Sequence, residues 1–187
     1  MLFHLISLFL FCFSLNVLAK DTQVHLYRPF GGLQGQPQIQ IKHTVEGECK
    51  EHSNRTPRSD AWRCTTAEWI IDPCFIRSYG NQKEALCPDA PWLDAGMLIH
   101  IQTGHNESRN EEFDLSKSYP WAVKLENGLA CIASDKPTYF QHLVVRYQCA
   151  DNTFLFGHLQ RCKAQWSILH QQKTNAVETV TIAEAWF

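Results

Sequence analysis

The sequence GECKEHSNRTPRSDAWRCTTAEWIIDPCFIRSYGNQKEALC, residues 47–87, contains four of the eight cysteines of this chain. Cysteines spaced so closely are typical of an exported domain whose fold is braced by disulfide bonds. This stretch therefore predicts both the compartment in which the chain folds and the bonds that stabilise it.

The first 19 residues have the features of a cleaved export signal. Residues 5–18 are mostly apolar, and Val17-Leu18-Ala19 places small or apolar groups where a signal peptidase cuts. The apolar run is shorter than the roughly 20 residues that a membrane-spanning helix needs. We therefore expect a secreted chain, extracellular or periplasmic, that consists of residues 20–187 and has no membrane span after cleavage.

The length and charge of the mature chain fit a single globular domain, residues 20–187. The formal net charge is −2, so the composition gives no electrostatic reason to expect nucleic acid as a partner.

Hairpin register predicts how the cysteines pair, although sequence alone does not fix the connectivity. The turn at residues 78–83 places Cys74 opposite Cys87. The positions of the other predicted turns, with a looser fit, place Cys49 opposite Cys64 and Cys131 opposite Cys149. Each bridge closes a loop of roughly 15 residues and should stabilise the fold by about 3 kcal/mol.

Cys162 is the odd cysteine in this scheme. The turn at residues 150–153 does not bring it opposite Cys149, so we expect a free thiol. Arg161 and Lys163 flank it, and neighbouring cations lower the pKa of a thiol. No base for a cysteine nucleophile is identifiable, and the simpler alternatives are burial or a disulfide-linked dimer through Cys162.

Short apolar runs with a period of two residues, separated by turn signals, predict strands throughout the chain. Asn127-Gly128 between two such runs is the strongest hairpin signal. The nine candidate strands are residues 37–45, 69–76, 97–102, 121–125, 129–132, 143–147, 154–159, 166–169 and 177–183. Asp72-Pro73 interrupts the second of them, which is expected to be bent or to lie at an edge. The prediction is an all-β, single antiparallel sandwich or barrel-like domain braced by about three disulfides.

Motifs for catalysis, metals and cofactors are missing from the sequence. It has no Gly-x-Ser-x-Gly, His-Glu-x-x-His, phosphate-binding glycine loop or Cys-x-x-Cys. The acidic loop at residues 104–119 lacks the spacing of a calcium loop. We therefore predict no catalytic residue, no metal and no cofactor.

One polar, tryptophan-rich set within the opening stretch is a candidate ligand site. Its members are Arg58, Asp60, Trp62, Arg63, Trp69 and Asp72. Arginine and aspartate beside tryptophan could hold a carbohydrate or a carboxylate, with the indole as a stacking surface. A disulfide-braced loop also needs such groups to satisfy its own backbone, and this structural interpretation is favoured.

Two motifs carry a resemblance to a known group of domains: Arg-x-Asp-Ala-Trp-Arg-Cys at residues 58–64 and Asp-Pro-Cys-Phe at residues 72–75. Together with Pro120-Trp121 and residues 185–187, they resemble an uncharacterised exported bacterial domain of actinobacterial secreted and cell-surface proteins. The resemblance covers about residues 38–187 and implies export and disulfide bracing, with no catalytic residue. In that group of domains, an aromatic residue is common at the position of Lys50. Its members usually lack a cysteine at the position of Cys162.

Two functions follow as hypotheses. The first is a secreted binding module for a glycan, the cell envelope or an extracellular protein, which agrees with export, bracing and missing catalytic motifs. The alternative is a secreted glycan hydrolase with Asp60 and Asp72 as paired carboxylates, because such pairs have no fixed sequence spacing.

Overall fold

The structure is a computed structural model that describes residues 20–30, 39–77, 82–103 and 113–187. The predicted signal peptide (1–19), the centre of the predicted turn (78–81) and most of the acidic loop (104–112) lie outside the described residues.

The regular elements in the described ranges are all strands, which confirms the all-β prediction. They are β1 Gln23–His25, β2 Gln40–His52, β3 Ala61–Thr66, β4 Ile70–Ile76, β5 Glu84–Pro88, β6 Ala95–Ile101, β7 Ala122–Leu125, β8 Ala130–Ala133, β9 Tyr139–Phe140, β10 Leu143–Cys149, β11 Phe154–Gln160, β12 Trp166–Gln171 and β13 Val177–Trp186.

Strands β2 to β6 form a closed barrel in chain order. Successive strands pair antiparallel, and β2 closes the ring by running parallel to β6, with Val45 opposite Ile99. The register of β3 against β4 shifts at Asp72-Pro73, because proline has no N–H to donate to the ladder. This register shift is the irregularity that the structure shows where a bend was predicted. Strand β4 is not an edge strand, since it pairs with both β3 and β5.

The second sheet also closes on itself. Strands β7, β8, β10, β11, β12 and β13 pair antiparallel in that order, and β13 returns to pair with β7. The turn at Asn127-Gly128 joins β7 to β8 as the hairpin signal predicted. Gly128 has φ 84°, a left-handed conformation that glycine adopts without a steric penalty.

The N-terminal segment is fastened to the C-terminal end of the chain. Strand β1 runs parallel to the last residues of β13, with His25 opposite Trp186. Beyond β1, the Tyr27 amide donates to the Phe187 carbonyl at 2.8 Å, and the Phe187 amide donates to the His25 carbonyl at 2.9 Å. Residues 23–27 and the C-terminal residues 184–187 therefore meet beside the second barrel.

Each barrel encloses an apolar cluster, and the two barrels pack against each other. Trp62 and Ile99 belong to the cluster of the first barrel. The cluster of the second barrel contains Trp121 and extends to Phe75 of the first barrel. Trp121 and Phe75 both contact the ring of Tyr27, with each pair of ring centroids 5.4 Å apart.

All three predicted disulfides are present, and each joins neighbouring antiparallel strands. Cys49–Cys64 links β2 to β3, Cys74–Cys87 links β4 to β5, and Cys131–Cys149 links β8 to β10. The two bridges of the first barrel lie side by side, with the Sγ atoms of Cys64, Cys74 and Cys87 within 4.8 Å of one another. Cys162 is free, as predicted, and it is exposed rather than buried. Its use in a dimer stays a prediction.

Three disulfides are typical of a protein that folds in an oxidising compartment. In the part of the chain that the structure describes, no helix is long and apolar enough to cross a membrane.

Candidate functional site

The loop between β2 and β3, residues 53–60, lies where the two barrels meet, and Asp72 of β4 shapes its first half. The Asp72 carboxylate is buried and accepts hydrogen bonds from the Ser53 hydroxyl and, at 2.9 Å, from the Asn54 amide. The Ser53 Oγ in turn accepts from the amides of Arg55 at 3.0 Å and Thr56 at 3.1 Å. Asp72 therefore holds the loop backbone in place.

Burial of Asp72 gives a testable pH dependence. Desolvation is the largest influence and raises the pKa of Asp72 above its ordinary value of 3.8, although hydrogen bonds from Ser53 and Asn54 act in the opposite direction. Because its pKa is higher in the folded state, the stability linked to this group is fully present below the unfolded-state pKa. It is lost as pH rises through the folded-state pKa.

As pH falls toward about 4, we expect the free energy of unfolding of the wild type to rise relative to that of Asp72→Asn. Asparagine does not titrate. The other titratable groups are the same in both proteins, so their contributions to the pH dependence largely cancel. Urea unfolding of both proteins across the acidic range measures the difference. A shift in the opposite direction would mean that hydrogen bonding to the charged form outweighs desolvation.

Arg58 fixes the second half of the loop. Its Nε and Nη2 atoms donate to the two carboxylate oxygens of Asp60 at 2.9 and 2.6 Å. Its Nη1 atom donates to the carbonyls of Tyr27 and, at 3.1 Å, Phe187. The guanidinium also lies over the Phe75 ring, 4.8 Å from its centroid. One buried arginine thus ties this loop of the first barrel to the segment at Tyr27 and to the C-terminal Phe187.

The other three predicted ligand residues occupy separate places. Trp62 is buried and stacks on His52, with ring centroids 4.2 Å apart. Arg63 pairs with the exposed Glu51 at 3.4 Å. Trp69 is 47% exposed at the turn between β3 and β4. The six predicted residues therefore do not converge on one cleft, and most of them support the fold.

Arg58 and Asp60 line an open cavity of about 640 Å³ where the N-terminal segment meets the first barrel. We call this the junction cavity. Leu26, Phe30, Ile76 and Phe113 form its apolar wall, and Arg77 also lines it.

Arg55 lines two further cavities, on the side of the loop that faces the second barrel. The first has a volume of about 400 Å³ and is lined by Tyr119 and Arg146; the second has about 430 Å³ and is lined by Trp92. Both share Arg55 and residues 133–135 as walls. These adjoining cavities form what we call the Arg55 groove.

Sequence reasoning missed the residues of this groove. Arg55 has no motif around it that indicates binding. It gains its position from Asp72 through the loop backbone and through a hydrogen bond from its Nη1 atom to the Asp72 carbonyl. Trp92, Tyr119 and Arg146 come from distant parts of the chain and meet only because the two barrels pack together.

Comparisons with protein-family models, curated proteins and solved structures give no match for this chain. The resemblance to an exported bacterial domain therefore stays a prediction. The function has to be argued from the cavities and the residues that line them.

Proposed function

We propose that the protein is an exported, disulfide-braced binding module that holds an acidic glycan in the Arg55 groove. The observation that carries the proposal is the groove itself, in which one arginine lines two adjoining cavities, one with Tyr119 and the other with Trp92. Aromatic walls with a few polar groups are typical of small-ligand sites. Two adjoining cavities can accept successive units of a polymer.

The charges along the groove favour an anionic ligand. Arg55, Lys136 and Arg146 line the first cavity, against one carboxylate, Asp135. Arg146 is partly engaged, because its Nε donates to the Gly157 carbonyl at 3.2 Å. Lys136 is exposed. An arginine fork beside a lysine matches the carboxylate of a uronic acid.

Unpaired buried donors point in the same direction. Arg55 Nε and the Tyr147 hydroxyl are buried and have no hydrogen-bond partner among the described residues. Both residues line the first cavity. Buried polar groups are nearly always paired in folded proteins, so an unpaired donor beside a cavity requires an explanation. Both atoms are shielded from solvent, so an oxygen-rich ligand would supply acceptors to them after a small side-chain shift on binding.

Export is the second part of the proposal. The three disulfides support it, because such bonds persist in oxidising compartments. The apolar segment ending at Ala19 supports it from the sequence.

Lys136→Gln and Arg55→Gln are each expected to weaken binding of an oligogalacturonate by about tenfold or more, because each removes a charged hydrogen-bond donor from the groove. Isothermal titration calorimetry of the mature protein measures the affinities. Lys173→Gln, an exposed lysine that does not line the groove, should bind like the wild type. Thermal melts of each variant exclude unfolding as the cause.

A neutral cello-oligosaccharide is the matched ligand and should bind more weakly than the oligogalacturonate. Equal affinities for the two sugars, or unchanged binding by both groove variants, would contradict the proposal. The same incubations test the hydrolase alternative through newly formed reducing ends. We expect none, because Arg58 holds Asp60, and Ser53 and Asn54 engage Asp72.

A further inference from the structure

The junction cavity is a second, chemically different site. Among the residues that the structure describes, it shares none with the Arg55 groove, so an inference about it does not depend on the proposed glycan function. Its volume of about 640 Å³ falls within the range of small-molecule sites, roughly 300–1,000 Å³.

Apolar residues form about half of the wall of this cavity and come from several parts of the chain. Leu26 and Phe30 belong to the N-terminal segment, Ile76 ends β4, and Phe113 precedes β7. The ring of Phe113 packs edge-on against Phe187, with centroids 6.2 Å apart. An apolar ligand body placed here would remove these surfaces from water, which is favourable in proportion to the area buried.

Three arginines line the cavity: Arg28, Arg58 and Arg77. The carboxylate of Asp60 is already neutralised by the two-pronged pair with Arg58. Arg77 is exposed and lies over the Phe30 ring, 4.6 Å from its centroid. Among the described residues it forms no salt bridge. A guanidinium that rests on an aromatic wall offers a carboxylate a forked partner next to apolar surface.

We propose that the junction cavity binds a small amphiphilic carboxylate, whose carboxyl group pairs with Arg77 and whose apolar body lies against Phe30 and Phe113. The carboxyl group of this ligand matches Arg77, and its apolar body matches the apolar residues of the wall. A neutral alcohol of the same length would keep the apolar contacts and lose the ion pair. An ammonium of the same length would place a second cation beside Arg77.

Calorimetric titration with decanoate, below its micelle concentration, tests the proposal against decanol and decylammonium as matched ligands. We expect decanoate to bind about tenfold more tightly than decanol, and decylammonium to bind most weakly. Arg77→Gln should weaken decanoate binding by about the same factor and leave decanol unchanged. Phe113→Ala should weaken both.

Lys136→Gln, which alters the Arg55 groove, is the control for the position of the site and should not change decanoate binding. Arg77 is exposed at the end of β4, so its replacement should leave the fold intact, and a thermal melt checks this. The proposal is overturned if decanoate does not bind, if decanol binds equally well, or if Arg77→Gln binds decanoate like the wild type.

Discussion

Arg58→Ala is expected to lower the free energy of unfolding by about 3–5 kcal/mol, because it breaks a buried ion pair by removing one partner. The side chain of Arg58 is only 10% exposed. The variant would leave the Asp60 carboxylate without its guanidinium and the Tyr27 carbonyl without its arginine donor. The Phe187 carbonyl would keep only the bond from the Tyr27 amide. The cavity left by the side chain would add to the loss.

Urea unfolding monitored by tryptophan fluorescence measures this effect. Arg63→Ala is the matched control, because its guanidinium pairs with the exposed Glu51, and partly exposed pairs contribute at most about 1 kcal/mol. Asp60→Asn should fall between the two, since Arg58 then keeps its bonds to Tyr27 and Phe187. An Arg58→Ala protein as stable as Arg63→Ala would show that the arginine does not fasten the loop to these two residues.

Removing the Cys74–Cys87 disulfide should cost about 3 kcal/mol. The two cysteines are separated by 13 positions in the sequence, and a loop of this size restricts the unfolded chain by about that amount. Both side chains are buried, so Cys74→Ala combined with Cys87→Ala avoids placing new hydroxyl groups in the core. Denaturant unfolding of this double variant under non-reducing conditions measures the loss.

Cys162→Ser is the control for this measurement, because Cys162 is exposed and unbridged. We expect it to stay within about 0.5 kcal/mol of the wild type. If the double variant unfolds at the wild-type midpoint, the bridge does not stabilise the first barrel.

Features that depend on local sequence were predicted well. The Cys74–Cys87 pair follows from the register of one hairpin, and the β7–β8 hairpin follows from Asn127-Gly128. Strands β1, β3, β5 and β9 were not among the predicted strands. Strands β1 and β9 are very short, β3 reads Ala-Trp-Arg-Cys-Thr-Thr without clear alternation, and β5 contains the helix-favouring sequence Glu-Ala-Leu.

Features that depend on distant contacts could not be predicted. The sequence indicated one sandwich or barrel, whereas the structure has two closed sheets, and their closures pair β2 with β6 and β13 with β7. No turn signal marks pairings between strands so far apart. Arg58 and Asp72 were identified from their setting in the sequence, but their partners at Tyr27, Phe187 and Ser53 appear only in three dimensions. Arg55 was overlooked for the same reason.

The side-by-side bridges of the first barrel have a consequence for how it would respond to a reductant. If an external thiol attacked Cys49, it would stay bonded to that sulfur and release the Cys64 thiolate, which lies within 4.8 Å of both sulfurs of the second bridge. Attack on Cys74 would form Cys64–Cys74 and release the Cys87 thiolate. When that thiolate displaces the external thiol from Cys49, the two bonds have exchanged partners within the core, and this barrel acts as one redox unit. Cys131–Cys149, in the other barrel, would open independently.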